Sequence, residues 1–107
     1  MCGYRGGSRS GEYVVAQVSR VSVTVQGRVQ GVGYRQFVRR VAERLQLTGW
    51  VRNHADGGVE ALLEGDESSL IEALQDLRRG PTRAKVTHVE SQMEIGGRDF
   101  AAFVILK

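Results

Sequence analysis

The sequence predicts an α+β domain of the ferredoxin-like split βαβ type, with two helices covering one face of an antiparallel sheet. Three observations predict it. Val21, Val23 and Val25 alternate with polar residues, Val59, Ala61 and Leu63 recur at the same period, and an apolar series recurs at Val89, Met93 and Ile95. Two stretches with helical spacing, Phe37 to Leu45 and Leu70 to Leu77, interrupt them. Glycines, once followed by proline, mark the boundaries. Period-two alternation belongs to half-buried strands and the i, i+3, i+4 pattern to helices. The resulting order is strand, helix, strand, strand, helix, strand, with a short extra strand at the C-terminus. Helices gathered on one face of such a sheet form a two-layer sandwich.

Each element has its own grounds. Val21, Val23 and Val25 alternate with Ser22, Thr24 and Gln26, which makes the first strand. Gly27 to Gly33 is a loop with three glycines. Phe37, Val38, Val41, Ala42 and Leu45 then lie along one helical face, and Gly49 stands where a helix C-terminal glycine is expected. Trp50 to Asn53 is a short strand, and Asp56-Gly57-Gly58 is a hairpin turn signal leading into Val59, Ala61 and Leu63. Asp66 is a suitable N-cap for a second helix that carries Leu70, Ile71, Ala73, Leu74 and Leu77 on one face and stops at Gly80-Pro81. A fourth strand follows, Gly96-Gly97 turns the chain, and Phe103 and Ile105 mark a last apolar edge.

A chain of 107 residues has room for one core and is too short for two domains. Residues 1–17 differ in composition: Gly3, Gly6, Gly7 and Gly11 alternate with serines, arginines and tyrosines, and no periodicity is sustained before Val18. Such a segment buries too little apolar area to offset its chain entropy, so a flexible extension is expected there, with the folded domain over 18–107. The arginines near the N-terminus are followed by no apolar stretch of the secretory kind, and no run approaches the ~20 apolar residues of a membrane span. A cytoplasmic protein without membrane contact is expected. The single cysteine, Cys2, has no disulfide partner and no neighbouring ligand for a metal. The net charge of +3 is a modest excess that fits a solvated basic surface better than a nucleic-acid groove.

The segment that carries chemistry is Gly27-Arg28-Val29-Gln30-Gly31-Val32-Gly33-Tyr34-Arg35. It joins a strand to a helix start, where unpaired backbone N–H groups and the helix dipole favour an anion. The glycines let the backbone turn and approach a ligand. Arg35, at the helix start, can grip a phosphate through two parallel hydrogen bonds. The loop lacks the Gly-Lys-Ser/Thr ending of a nucleotide-binding P-loop and the Gly-x-Gly-x-x-Gly spacing of a dinucleotide fold. On these residues alone, a glycine-rich turn followed by a solvent-facing arginine reads the segment equally well. A strand–helix–strand crossover lays the first two strands parallel, so Asn53 at the end of the second should project from the same sheet edge as Arg35. An amide there can orient water by donating and accepting at once, although a turn-opening asparagine is the plainer reading.

Together, Gly27-Arg-Val-Gln-Gly-Val-Gly-Tyr-Arg35, Gly49-Trp-Val-Arg-Asn53 and Asp56-Gly57-Gly58-Val59-Glu60 resemble the acylphosphatase family, and the resemblance runs over roughly residues 18–107. It implies a ferredoxin-like fold and hydrolysis of acyl phosphates to a carboxylate and inorganic phosphate. It further implies that the loop Arg28, Val29, Gln30, Gly31, Val32, Gly33 and Tyr34, through its backbone, binds the phosphate together with Arg35, and that Asn53 positions the attacking water. Tyr34 departs from the phenylalanine frequent in the family while keeping an aromatic ring. No metal or cofactor is expected, since neither His54 nor His88 has a partner at metal-ligand spacing. His54 neighbours Asn53 and is expected to face away from it; His88 is expected on the surface. Arg39, Arg40 and Arg44 read as a solvated helix face, and Arg28 and Arg52 as exposed side chains near the loop. The substrate expected is a small acyl phosphate, with inorganic phosphate as product and the enzyme a monomer without a nucleic-acid partner. Two other readings share the topology. One is a non-enzymatic phosphate- or nucleic-acid-binding module; against its nucleic-acid form, the strands lack an RNP-type aromatic pattern. The other is a domain detached from a carbamoyl-phosphate-using maturation enzyme, which would bring further domains with paired cysteines.

Overall fold

The computed structural model describes residues 18–96 and 99–106. The extension expected at 1–17 and the Gly97 part of the expected turn lie outside the described residues. In chain order the elements are β1 (Val18–Arg28), α1 (Tyr34–Arg44), β2 (Thr48–Asn53), β3 (Val59–Asp66), α2 (Glu67–Arg79), β4 (Lys85–Ile95) and β5 (Phe103–Ile105). The sheet order is β4-β1-β3-β2-β5. β1 pairs antiparallel with β3 and β4, and β2 antiparallel with β3, while β5 runs parallel to β2. The sheet is therefore mixed, not purely antiparallel as expected. β4 runs opposite to β2, so a chain that crosses the end of the sheet and turns back must enter β5 parallel to β2.

The alternation in β1 and β3 sends Val21, Val23, Val25, Val59, Ala61 and Leu63 to one face, where all are buried. α1 covers that face with Tyr34, Val38, Val41 and Ala42, and α2 with Leu70, Ala73, Leu74 and Leu77. Burying each large apolar side chain contributes about 1.5–3 kcal/mol, and this layer is the main source of stability. The opposite face of the sheet is open to solvent and carries Ser22, Thr24, Glu60 and Arg52.

Four local expectations change. Gly49 does not end α1; it lies within β2 at φ 135°, with its α-carbon so close to the Leu62 carbonyl that a Cβ would come within 1.9 Å of the oxygen. The left-handed residue after α1 is Gln46, at φ 59°. Asp66 occupies the N-cap of α2 in extended conformation but makes no side-chain cap bond. Ile71 and Ile95, expected on buried faces, are 48% and 73% exposed: Ile71 lies off the buried face of α2, and Ile95 is the last residue of β4, an edge strand.

The crossing from β4 to β5 is held by one carboxylate. Glu64, on the open face of β3, is fully buried. Its Oε1 accepts from the backbone N–H of Asp99 at 3.0 Å and of Phe100 at 3.2 Å, and from the Thr48 hydroxyl at 3.3 Å. Its Oε2 lies 3.0 Å from the Arg20 guanidinium, which also pairs with Asp99.

Candidate active site

The register puts the two halves of the site at one sheet edge. Val59 of β3 is paired with Val25 of β1 on one side and with Asn53 of β2 on the other, so all three form one row. The ladder then slips between Gln26 and Gly27, and the chain leaves β1 for the loop. Val51 is wholly buried beneath the helices, and Asn53, two residues on, extends the same face past the edge of the core into solvent. β5 is parallel to β2 and ends at this edge as well, with Ile105 opposite Val51.

The loop itself is built from two left-handed glycines between two core anchors. Gly31 has φ 74° and Gly33, the N-cap of α1, has φ 79° and ψ 17°. An added Cβ at either would meet no atom, so backbone conformation and not crowding is what asks for glycine. Val29 is inserted into the core and Tyr34 is buried beside it. The Tyr34 hydroxyl donates to the Leu77 carbonyl of α2 at 2.7 Å, and burial pushes this phenol up from its ordinary value. Both ends of the loop are thus fastened from below, so Val29 and Tyr34 can offer only their backbone to a ligand.

The first i→i−4 bond of α1 runs from the Phe37 N–H to the Gly33 carbonyl at 3.0 Å. The amides of Tyr34, Arg35 and Gln36 accordingly have no intrahelical partner. The cap makes no side-chain bond and the first turn holds no acidic residue, so nothing of the helix's own competes for an anion there. A pocket of about 110 Å³ opens at this point, lined by Val29, Gly31, Gly33, Tyr34, Arg35, Gln36 and Ile105. Arg35 is half-buried in its wall, and its Nη1 donates to the Leu106 carbonyl just past β5 at 3.2 Å. A far larger hollow of about 610 Å³ lies on the open sheet face, lined by Ser22, Thr24, Val89, Glu90, Ser91 and Gln92. It offers a carboxylate and no cation, so it does not suit an anionic substrate.

Other expected residues divide into those the site gathers and those it leaves outside. Arg28 follows the open face, since its neighbour Val29 points into the core. Arg52 pairs with Glu60 and stacks over the Trp50 ring at 5.1 Å. Arg39 pairs with Glu43 at 3.1 Å and Arg44 bridges to Glu72 and Asp76 of α2, as a solvated helix face does. His54 follows β2 in the turn, where its Nδ1 is 3.0 Å from Asp56. The Gly58 N–H donated to Asp56, helped by His54, holds that carboxyl below the usual carboxylate range. His88 is exposed on β4, near Glu90. Among the described residues no group of three or more histidines, cysteines and carboxylates is arranged to hold a metal ion.

Two contributions had no signal in the sequence. The Leu106 carbonyl is a backbone group of the last residues, brought to Arg35 only by the parallel pairing of β5. The Gln30 side chain reaches out of the loop to the β2–β3 turn, donating to the carbonyls of His54 at 2.9 Å and Gly58 at 2.8 Å.

Comparison with known proteins shows the family and the fold. The sequence profile of the acylphosphatase family matches residues 21–105. An acylphosphatase of Rhodopseudomonas palustris is 56% identical over 70 residues, which cover 65% of this chain and 71% of that protein. One of Rhizobium etli is 51% identical over 83 residues, covering 75% and 88% respectively. The crystal structure of acylphosphatase from Bacillus subtilis superposes with a TM-score of 0.80 at 36% identity, covering 83% of this chain and 99% of that one. With the family profile spanning the strands, both helices and the loop between them, the chain belongs to the acylphosphatase family.

Proposed function

We propose that the chain carries out its family's reaction, hydrolysis of an acyl phosphate to a carboxylate and inorganic phosphate, with the phosphate held by the 28–34 backbone and Arg35 and the attacking water positioned by Asn53. The observation that carries this reading is the loop–helix junction: unpaired amides and a half-buried arginine share one small pocket.

The chemistry asks for little more. The bond to be broken joins phosphorus to the oxygen of a carboxylate, whose conjugate acid has a pKa of roughly 4, so the leaving group departs without being protonated. What remains is alignment of water, phosphorus and leaving oxygen, and stabilisation of charge on the equatorial oxygens. Backbone N–H groups and the permanently charged Arg35 supply the second. Asn53 has an amide that both donates and accepts but takes no proton at neutral pH, so it orients the water without acting as a base. Water adds its oxygen to phosphorus as the acyl oxygen leaves with the bonding pair. The water's proton passes to a phosphate oxygen, and the products are a carboxylate and phosphate. In this reading the rate is flat across mid-range pH.

The reading assigns the whole activity to residues 18–107. Its setting is a cytoplasmic monomer acting on a small molecule, without nucleic acid, membrane or metal. The test is turnover of a simple aromatic acyl phosphate in the presence of chelator. Arg35→Ala should abolish turnover and inhibition by inorganic phosphate with the fold intact. Asn53→Ala should keep that inhibition and lose about two to three orders of magnitude in kcat, as removal of one transition-state donor does. Near-normal turnover in Arg35→Ala would overturn the assignment.

A further inference from the structure

Gln30 lies in the middle of the phosphate loop, yet its side chain is turned away from the pocket wall and half-buried against another part of the chain. Its carboxamide nitrogen donates to the carbonyl oxygens of His54 and Gly58, which lie 24 and 28 residues further on. A carboxamide nitrogen has two hydrogens, and both are used. The two acceptors are the two arms of the β2–β3 turn. They already serve the turn itself, since the His54 N–H donates to the Gly58 carbonyl at 2.7 Å and the Gly57 N–H to the His54 carbonyl at 3.1 Å. Each carbonyl has a second lone pair, and Gln30 takes it at both places.

The residue immediately before this pair of acceptors is Asn53. No sheet pairing reaches this point directly from the loop, because β1 and β2 are separated by β3. The ladder on β1 has also slipped by the time the chain leaves it. Gln30 is thus a direct tie between the element that would hold the phosphate and the turn that follows Asn53. A methionine of similar length would fill the space without donating, and an asparagine is one methylene too short to span both oxygens.

We propose that Gln30 is a positioning residue, whose carboxamide ties the phosphate loop to the turn beyond Asn53 and so sets the distance between bound phosphate and attacking water. The inference rests on the water-positioning role read for Asn53 above. Displacing a reacting group by about 1 Å can cost on the order of a hundredfold in rate, which is the scale a slackened tie would reach.

The test is a double-mutant cycle on the intact chain, with Gln30→Met, Asn53→Ala and the pair, reading kcat on an aromatic acyl phosphate and inhibition by inorganic phosphate. Gln30→Asn runs in parallel in case the methionine variant does not fold. Gln30→Met should lower kcat by about tenfold to a hundredfold while the phosphate inhibition constant moves less than about threefold. On the Asn53→Ala background the same substitution should change kcat by less than about threefold, because the group it positions is gone. Equal losses on both backgrounds, or a loss confined to phosphate affinity, would overturn the proposal. Should Asn53→Ala alone turn over like the wild type, the reading of Asn53 fails, and the tie is then judged by amide hydrogen exchange. Exchange at His54 and Gly57 should quicken by at least about tenfold in Gln30→Met, and unchanged exchange there would show that no tie exists.

Discussion

Replacing Glu64 by alanine tests whether one buried carboxylate holds the end of the sheet and, through it, Arg35. Glu64 is fully buried and accepts from Asp99, Phe100 and Thr48 while pairing with Arg20 at 3.0 Å. Removing one partner of a buried ion pair costs about 3–5 kcal/mol, because the groups left behind lose their compensation. Here Asp99 and Phe100 are exposed, so water can reach their amides once the carboxylate is gone, and the low end, about 3 kcal/mol, is expected. For a domain of this size each kcal/mol moves Tm by about 4–8 °C, so the midpoint should fall by about 12–24 °C. The consequence also reaches the site. Asp99 and Phe100 lead into β5, and the residue after β5 supplies the carbonyl that Arg35 contacts. kcat should therefore fall at temperatures where the variant is still folded. Glu64→Gln should be milder in both respects, since it keeps one acceptor oxygen but loses the charge facing Arg20. Thermal unfolding followed by circular dichroism, with turnover measured well below each midpoint, checks both expectations. A midpoint for Glu64→Ala within about 4 °C of wild type would refute the reasoning.

Gly49→Ala puts a methyl where the Leu62 carbonyl oxygen would be 1.9 Å away, on a backbone at φ 135°, so a loss of more than about 3 kcal/mol or failure to fold is expected in urea denaturation. Tyr34→Phe removes the buried hydroxyl from the Leu77 carbonyl and should cost about 1–3 kcal/mol in the same assay, with turnover retained because only the Tyr34 backbone faces the pocket. Asp56 is held below the usual carboxylate range, chiefly by the Gly58 N–H, so the unfolded chain binds its proton first as pH falls. Its contribution is present above the ordinary carboxylate pKa and fades as pH falls through the lower folded value. An NMR titration of the Asp56 carboxyl should accordingly show a midpoint below that of an unstructured aspartate, and an ordinary midpoint would refute the turn geometry.

Much of this molecule is legible in the order of its residues because periodicity is a local property. Val21, Val23 and Val25 alternate, Val38, Val41 and Ala42 recur at helical spacing, and burial follows those periods wherever an element has a covered and an uncovered face. The glycine-rich loop before α1 is legible for a similar reason: the positive φ of Gly31 and Gly33 is a backbone demand met at the residue itself. Asn53 and Arg35 share an edge because a right-handed strand–helix–strand crossover leaves few alternatives.

Where local signals competed, the tertiary structure decided. Gly49 looks like a helix terminator from one side, but the Leu62 carbonyl of the adjacent β3 comes too close for any side chain. Ile95 continues an apolar series and yet stays exposed at the end of an edge strand. Glu64 sits at a position whose alternation predicts solvent, and only the chain crossing from β4 to β5 buries it. Local periodicity is enough for the two layers and the element order, because each period is set by neighbours in the chain. The parallel docking of β5, the Leu106 carbonyl at Arg35 and the reach of Gln30 to His54 and Gly58 were decided only by the tertiary structure. These contacts join residues far apart in the chain, often through backbone oxygens that every residue possesses, and no residue type announces which carbonyl a folded chain will bring within reach.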